Sequence, residues 1–170
     1  ADEEYEGHGE LSQVDSTIRI QKEGLVARQI VYDPSHDRIL LLANDEEEER
    51  ALIYAFHGPD GQLDSSWNGD GVLLFPGNHQ GHCLYWDLRT EKVMIAGEIE
   101  VGQERRLFLA RLRDNAQDGL QNPDFYRYFL DGNSNDFEIE GLMAKEGGYI
   151  AYGSIEQEEV RAGLLLNVDE

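Results

Sequence analysis

Three apolar runs of one kind recur along the chain at nearly constant spacing. Leu40-Leu41-Leu42-Ala43-Asn44, Val93-Met94-Ile95-Ala96-Gly97 and Tyr149-Ile150-Ala151-Tyr152-Gly153 each close on a turn residue, and they start 53 and 56 residues apart. A period of this length means that one supersecondary unit is repeated and that neighbouring units stack to bury what none can bury alone. A turn precedes each run: Pro34-Ser35-His36-Asp37, Arg89-Thr90-Glu91 and Lys145-Glu146-Gly147-Gly148. Before the turns lie Gln29-Ile30-Val31-Tyr32, Cys83-Leu84-Tyr85-Trp86 and Gly141-Leu142-Met143-Ala144. Acidic loops follow the runs and lead to Leu52-Ile53-Tyr54-Ala55, Leu107-Phe108-Leu109-Ala110 and Gly163-Leu164-Leu165-Leu166.

A fourth stretch sits between the repeats. Trp67-Asn68-Gly69-Asp70-Gly71-Val72-Leu73 reads as a Gly-x-Gly turn feeding a strand, because glycine supplies the positive φ that tight turns demand. Tyr5-Glu6-Gly7-His8-Gly9-Glu10-Leu11 has the same layout, while Phe125-Tyr126-Arg127-Tyr128-Phe129 keeps the aromatic without the glycines. The stretches are of strand length and separated by clusters of Gly, Asn, Asp and Pro, and no capped run carries apolar residues at helical spacing. The chain is therefore expected to be all-β. About twelve strands would form three four-stranded repeat units within one repeat domain over residues 1–170, with units near 5–57, 58–112 and 113–170. A β-trefoil also has a threefold repeat of four strands and is the alternative. The expected core is Ile30, Leu41, Val93, Ile95, Phe108, Ala110, Leu142, Ile150 and Leu165.

Charge narrows the function classes. With 14 Lys+Arg against 35 Asp+Glu the net charge is −21, which repels nucleic-acid phosphates and anionic membrane surfaces. No apolar run approaches the length of a membrane-spanning helix. Hydrophobic residues make up 40% of the chain, enough for a core and too many for a disordered acidic tail. The single cysteine, Cys83, reads as a small core residue. Strand alternation would turn it away from neighbouring His82, and the spacings of a zinc site are missing. The first residues, Ala1-Asp2-Glu3-Glu4, lack a signal peptide, as a mature N-terminus or a trimmed one would.

Few constellations carry chemistry. Asp131-Gly132-Asn133-Ser134-Asn135-Asp136 places oxygen side chains at alternate positions, so Asp131, Asn133 and Asn135 are a candidate calcium site. Asp136 and Leu142 stand where an EF-hand needs Gly and Glu, and a polar turn explains the same residues. No other cofactor is indicated. The acidic run Asn44-Asp45-Glu46-Glu47-Glu48-Glu49-Arg50 reads as a solvated hairpin tip or a weak divalent-cation site. His8, His36, His57, His79 and His82 are scattered, no nucleophile elbow occurs, and the carboxylates are too many for any pair to stand out. Gly69-Asp70-Gly71 is too short for a nucleotide loop. Tyr54, Trp67, Tyr85 and Trp86 would fill the space between sheets or form a carbohydrate platform.

These residues resemble the delta-60 repeat of bacterial, mostly exported, proteins. The matching pieces are Ala96-Gly97, Leu109-Ala110-Arg111-Leu112, Pro59-Asp60-Gly61-Gln62-Leu63-Asp64-Ser65-Ser66-Trp67 and Asn68-Gly69-Asp70-Gly71-Val72. Phe56 and Leu165 replace the arginine of that pattern, Asn44 replaces one glycine, and Leu120-Gln121-Asn122-Pro123-Asp124-Phe125 lacks the Gly-Val. The resemblance implies a propeller-like fold and a periplasmic or secreted location. It supplies no catalytic residues.

The expected function is a non-enzymatic binding or assembly module of the bacterial envelope or secreted fraction, with a protein or glycan ligand. The alternative is a carbohydrate-active or other hydrolase with a loop-built acidic site. Three blades are too few to close a propeller. A homodimer is therefore expected, its interface formed by the N-terminal strand and the C-terminal unit.

Overall fold

Each repeat begins with a strand that ends on a polar corner, and those corners set the architecture. The computed structural model describes residues 3–5, 9–14, 17–58, 60–102, 104–129, 136–157 and 160–170. Strands account for nearly all the regular structure, with one short 3-10 turn at Asp114–Ala116 and no α-helix among the described residues. The chain is all-β.

Strands β4 (Leu25–Asp33), β5 (Arg38–Asp45), β6 (Arg50–His57) and β7 (Val72–Leu74) form an antiparallel meander. Strands β8 (His79–Asp87), β9 (Lys92–Val101), β10 (Glu104–Arg111) and β11 (Phe125–Phe129) form a second. One parallel bridge, Arg50 to His79, joins the two into an eight-stranded network. A third sheet holds β12 (Asp136–Lys145), β13 (Gly148–Gln157) and β14 (Val160–Asp169), and a separate N-terminal sheet holds β1 (Glu3–Tyr5), β2 (Gly9–Val14) and β3 (Thr17–Gln21). Among the described residues no sheet closes on itself.

The expected third four-stranded unit thus has three strands here. The Gly-x-Gly strand and the 125–129 strand each pair with the third strand that precedes them in the chain, so the meanders are offset by one strand from the sequence units. The N-terminal Gly-x-Gly segment leads into β2, which lies between β1 and β3 in its own sheet.

The sheets pack face to face in chain order. Alternation gives each strand two faces. In the first meander Leu40, Leu42, Ile53, Ala55 and Leu73 face the second, where Leu84, Val93, Ile95, Phe108 and Ala110 meet them. The opposite face of the second meander, with Cys83, Met94, Ala96, Leu107 and Leu109, packs on Phe137, Ile139, Leu142, Tyr149, Ala151 and Val168 of the third sheet. On the other side, Leu52, Tyr54, Phe56 and Val72 pack against Ile18 and Ile20 of β3.

This stacking explains where the expected core is corrected. Val93, Ile95, Phe108, Ala110 and Leu142 are buried, while Leu41 and Ile150 are half-buried. Ile30 is 63% exposed and Leu165 74% exposed. Ile30 holds the repeat position of buried Leu84, and Leu165 that of buried Leu109. The inner copies are covered by a neighbouring sheet, whereas Leu165 lies on the face of the third sheet turned away from the second meander and Ile30 on the part of the first meander's outer face that β3 leaves uncovered.

Buried polar groups stitch the sheets together. Asp33 accepts from the Ser35 and His36 amides and from Arg38 Nε at 2.7 Å. Arg38 reaches across to Asn115 Oδ1 at 2.9 Å and lies 4.7 Å from the Trp67 ring centroid. In the second meander Asp87 accepts from Arg89, Thr90 and, at 2.7 Å, from the Tyr149 hydroxyl of the third sheet. The third corner has Lys145 in place of the aspartate and turns within Glu146-Gly147. The Gly-x-Gly turn forms as expected: Gly71 has φ +87°, and a Cβ there would lie 2.8 Å from Leu63 Cβ.

Candidate functional site

The first strands of the three repeats, β4, β8 and β12, lie side by side, with β8 between the others. Each carries a β-bulge at the same repeat position: between Ala27 and Gln29, between Gly81 and Cys83, and between Ile139 and Gly141. The extra residues are Arg28, His82 and Glu140, each five residues before the corner position held by Asp33, Asp87 or Lys145. A bulge leaves one residue out of the ladder and re-aims its side chain. Here Arg28 and His82 line a cleft of about 420 Å³ together with Asn44, Glu46, Glu49, Asn78, Gln80, Glu98, Glu100 and Arg105. The cleft continues past His82 to Glu138, Glu140, Ser154 and Arg161.

His82 is the centre of this arrangement. Its Nδ1 accepts the Ile139 amide at 3.1 Å, so the neutral ring carries its proton on Nε2. Nε2 lies 3.9 Å from Glu98 Oε2, too long for a hydrogen bond. Burial, and then the nearby Arg28 guanidinium, push the imidazole down to about 4. The ring is a neutral donor at physiological pH. On one side Glu138 is shared by Arg28 at 3.2 Å and Arg161 at 3.1 Å, and Arg161 also donates to Ser154 Oγ at 2.8 Å. On the other, Arg105 lies 3.7 Å from Glu98.

The scaffold beneath is hydrogen-bonded across the sheets. The Asn44 side chain, buried, donates to Gly81 O and accepts from Gly81 N, pinning β8 beside its bulge to the first meander. Gln29 Oε1 accepts the Leu84 amide at 2.8 Å. These bonds pair backbone groups of β8 on the side away from β9 with side chains of the first meander.

The residues singled out in sequence go to several places. Asp131, Asn133 and Asn135 lie outside the described residues, as does His8. Glu46 to Glu49 form the exposed β5–β6 turn, with the Glu47 and Glu48 amides donating to buried Asp45, and Glu46 and Glu49 reach the cleft rim. Lys22 Nζ lies 2.7 Å from Asp45. Among the described residues no three His, Cys, Asp or Glu side chains are grouped to hold a metal ion. His36 sits beside Asp33, His57 beside Asp60, and His79 against the Phe108 ring, so the histidines do not converge.

Cys83 is buried on the opposite face from the cleft, and burial pushes its thiol up to about 12. Tyr54 and Trp67 are buried, and Tyr85 and Trp86 are half-buried against the two larger cores. These four aromatics fill the space between sheets, and none lines the cleft. Sequence reasoning listed His82 only among scattered histidines and missed Arg28 and Glu140. The signal available was one long polar residue at the same repeat position, directly before an apolar strand.

No protein-family model matches the chain, and comparison with curated proteins and with solved structures likewise returns no match.

Proposed function

We propose that this chain is a non-enzymatic binding module of propeller-like repeat type whose ligand seats in the cleft of the three bulged strands. The supporting observation is the threefold recurrence of the bulge, which brings Arg28, His82 and Glu140 from separate repeats to one place. Among the described residues ten polar side chains line the main cleft, and Ala27, Phe137 and Ile139 join the polar residues of its continuation past His82, so recognition rests mainly on hydrogen bonds and charge. Phe137 is buried, and no exposed aromatic platform lines the cleft among the described residues, which favours a polar peptide segment of a protein over a stacked glycan. His82 supports binding over proton transfer, because its one basic nitrogen is already engaged by the Ile139 amide. The likeness to the delta-60 repeat adds a periplasmic or secreted location to this reading.

Peptide and glycan arrays probed with the wild-type chain and with Glu98→Gln and Arg105→Ala, alongside a hydrolase panel, test the proposal. Polar peptides retained by the wild type and lost by both variants, without turnover, are the expected result. Hydrolysis abolished by changing Glu98 or Glu138 would overturn it in favour of a hydrolase.

A further inference from the structure

The cleft of the bulged strands carries more carboxylates than its own cations offset. In its main part Arg28 lies 3.2 Å from Glu138 and Arg105 3.7 Å from Glu98. Glu46, Glu49 and Glu100 line the same part and form no ion pair among the described residues. Asn78 holds two of them at one rim. Its amide donates to Glu49 O at 2.9 Å, its side chain donates to Glu100 O at 2.6 Å, and its carbonyl accepts the Glu100 amide at 3.0 Å. These bonds tie the β5–β6 turn to the end of β9. Past His82 the excess continues, with Glu138, Glu140 and Glu156 around Arg161.

On a chain of net charge −21 an acidic rim alone selects no ligand. The second observation is a donor without an acceptor. The His82 side chain is 7% exposed, and its Nδ1 is taken by the Ile139 amide. Its Nε2–H has no acceptor within hydrogen-bond distance among the described residues, with Glu98 Oε2 standing off at 3.9 Å. A buried donor left unpaired is costly, and an occupant that brings an acceptor relieves that cost. The ring lines both the main cleft and its continuation, so a ligand lying along the cleft passes it.

Resting on the reading of this cleft as a peptide site, we propose that its ligand is a basic segment of another protein. Lys or Arg side chains of the segment lie against Glu46, Glu49 and Glu100, and one of its backbone carbonyls accepts from His82 Nε2–H. Both features are needed to select it. A metal cation or a polyamine answers the carboxylates but gives His82 no acceptor. A neutral or acidic peptide supplies the acceptor but leaves the carboxylates unmatched. The field of the whole chain steers a cationic partner towards the cleft.

The test titrates the whole chain with capped peptides that differ only in carrying paired lysines, glutamines or glutamates, and with spermidine. Affinity is read by calorimetry and the His82 Nε2–H signal by NMR. The lysine peptide should bind about tenfold more tightly than the glutamine peptide, lose affinity as salt is added and move the His82 signal. Spermidine should leave that signal in place. Glu49→Gln combined with Glu100→Gln should remove most of the preference for lysine. Glu91→Gln combined with Glu146→Gln, the same charge change at exposed corner turns, should keep it, with folding of both variants checked by circular dichroism. Glutamine or glutamate peptides that bind as well and move the His82 signal as far would overturn the charge selection while leaving the cleft a site for polar peptides. A lysine preference that survives in the folded Glu49/Glu100 variant would also overturn it. If none of the three peptides moves the His82 signal, the peptide-site reading falls together with this proposal.

Discussion

At the scale of single residues, the polar groups between the sheets carry consequences that titration can read. His82 is held neutral by burial and by Arg28, down to about 4 against an ordinary value near 6.5. The unfolded chain therefore binds the proton first as pH falls. Stability from this site is full above about pH 6.5 and is lost progressively towards about pH 4, at roughly 1.4 kcal/mol per pH unit. Nitrogen-detected NMR should show His82 as the Nε2–H tautomer down to about pH 4, and His82→Gln should flatten the stability profile across that window. An imidazole that protonates near 6.5 would contradict this.

Asp87 shows the opposite chemistry. Burial alone would raise its carboxyl, but the hydrogen bonds from Arg89 and Tyr149 outweigh it and hold the group down to about 2. Its contribution is present above about pH 4 and is lost as pH falls from there to about 2, on the order of 2 kcal/mol in all. Tyr149→Phe should reduce that acid-sensitive component in urea denaturation followed against pH. Arg38 is a third case: Arg38→Met leaves the Asp33 carboxylate buried beside the Trp67 pocket without its guanidinium, and should cost about 3–5 kcal/mol in the same assay.

At the scale of strands, bulges and glycines decide how closely elements approach. A Cβ on Gly97 would lie 2.0 Å from Gln80 O on the neighbouring strand. Gly97→Ala should destabilise by about 1–3 kcal/mol in chemical denaturation, since β8 must shift to admit it. Asn44→Ala leaves Gly81 N and O without their side-chain partner and should cost about 2 kcal/mol.

The strands themselves were readable in the sequence, because alternation and turn residues are local properties: Ile39 to Ala43 and Val93 to Ala96 lie in strands flanked by the turns expected of them. The bulges were not. A bulge adds one residue without changing composition, and only the alignment of Arg28, His82 and Glu140 across repeats could have marked it. The cleft is assembled from three repeats and was invisible to any search for a contiguous motif.

At the scale of the whole molecule, the repeat made the stacking foreseeable but not its ends. Equivalent residues are equally apolar wherever they sit, so Leu84 and Ile30, or Leu109 and Leu165, cannot be told apart by type or pattern. Their fates diverge because burial belongs to the neighbouring sheet, which sequence periodicity does not report. Ile18 and Ile20 cover part of one end and leave Ile30 and Tyr32 in solvent.

The most direct test of this face-to-face stack is a matched set of truncations at repeat-equivalent positions, measured by chemical denaturation of the monomer at low concentration. Leu84→Ala and Leu109→Ala should each cost about 2–5 kcal/mol, as buried leucines do. Ile30→Ala and Leu165→Ala should each stay within about 0.5 kcal/mol of the wild type, as exposed positions do. Four similar losses, or large losses at Ile30 and Leu165 with small ones at Leu84 and Leu109, would contradict the order in which the sheets are stacked.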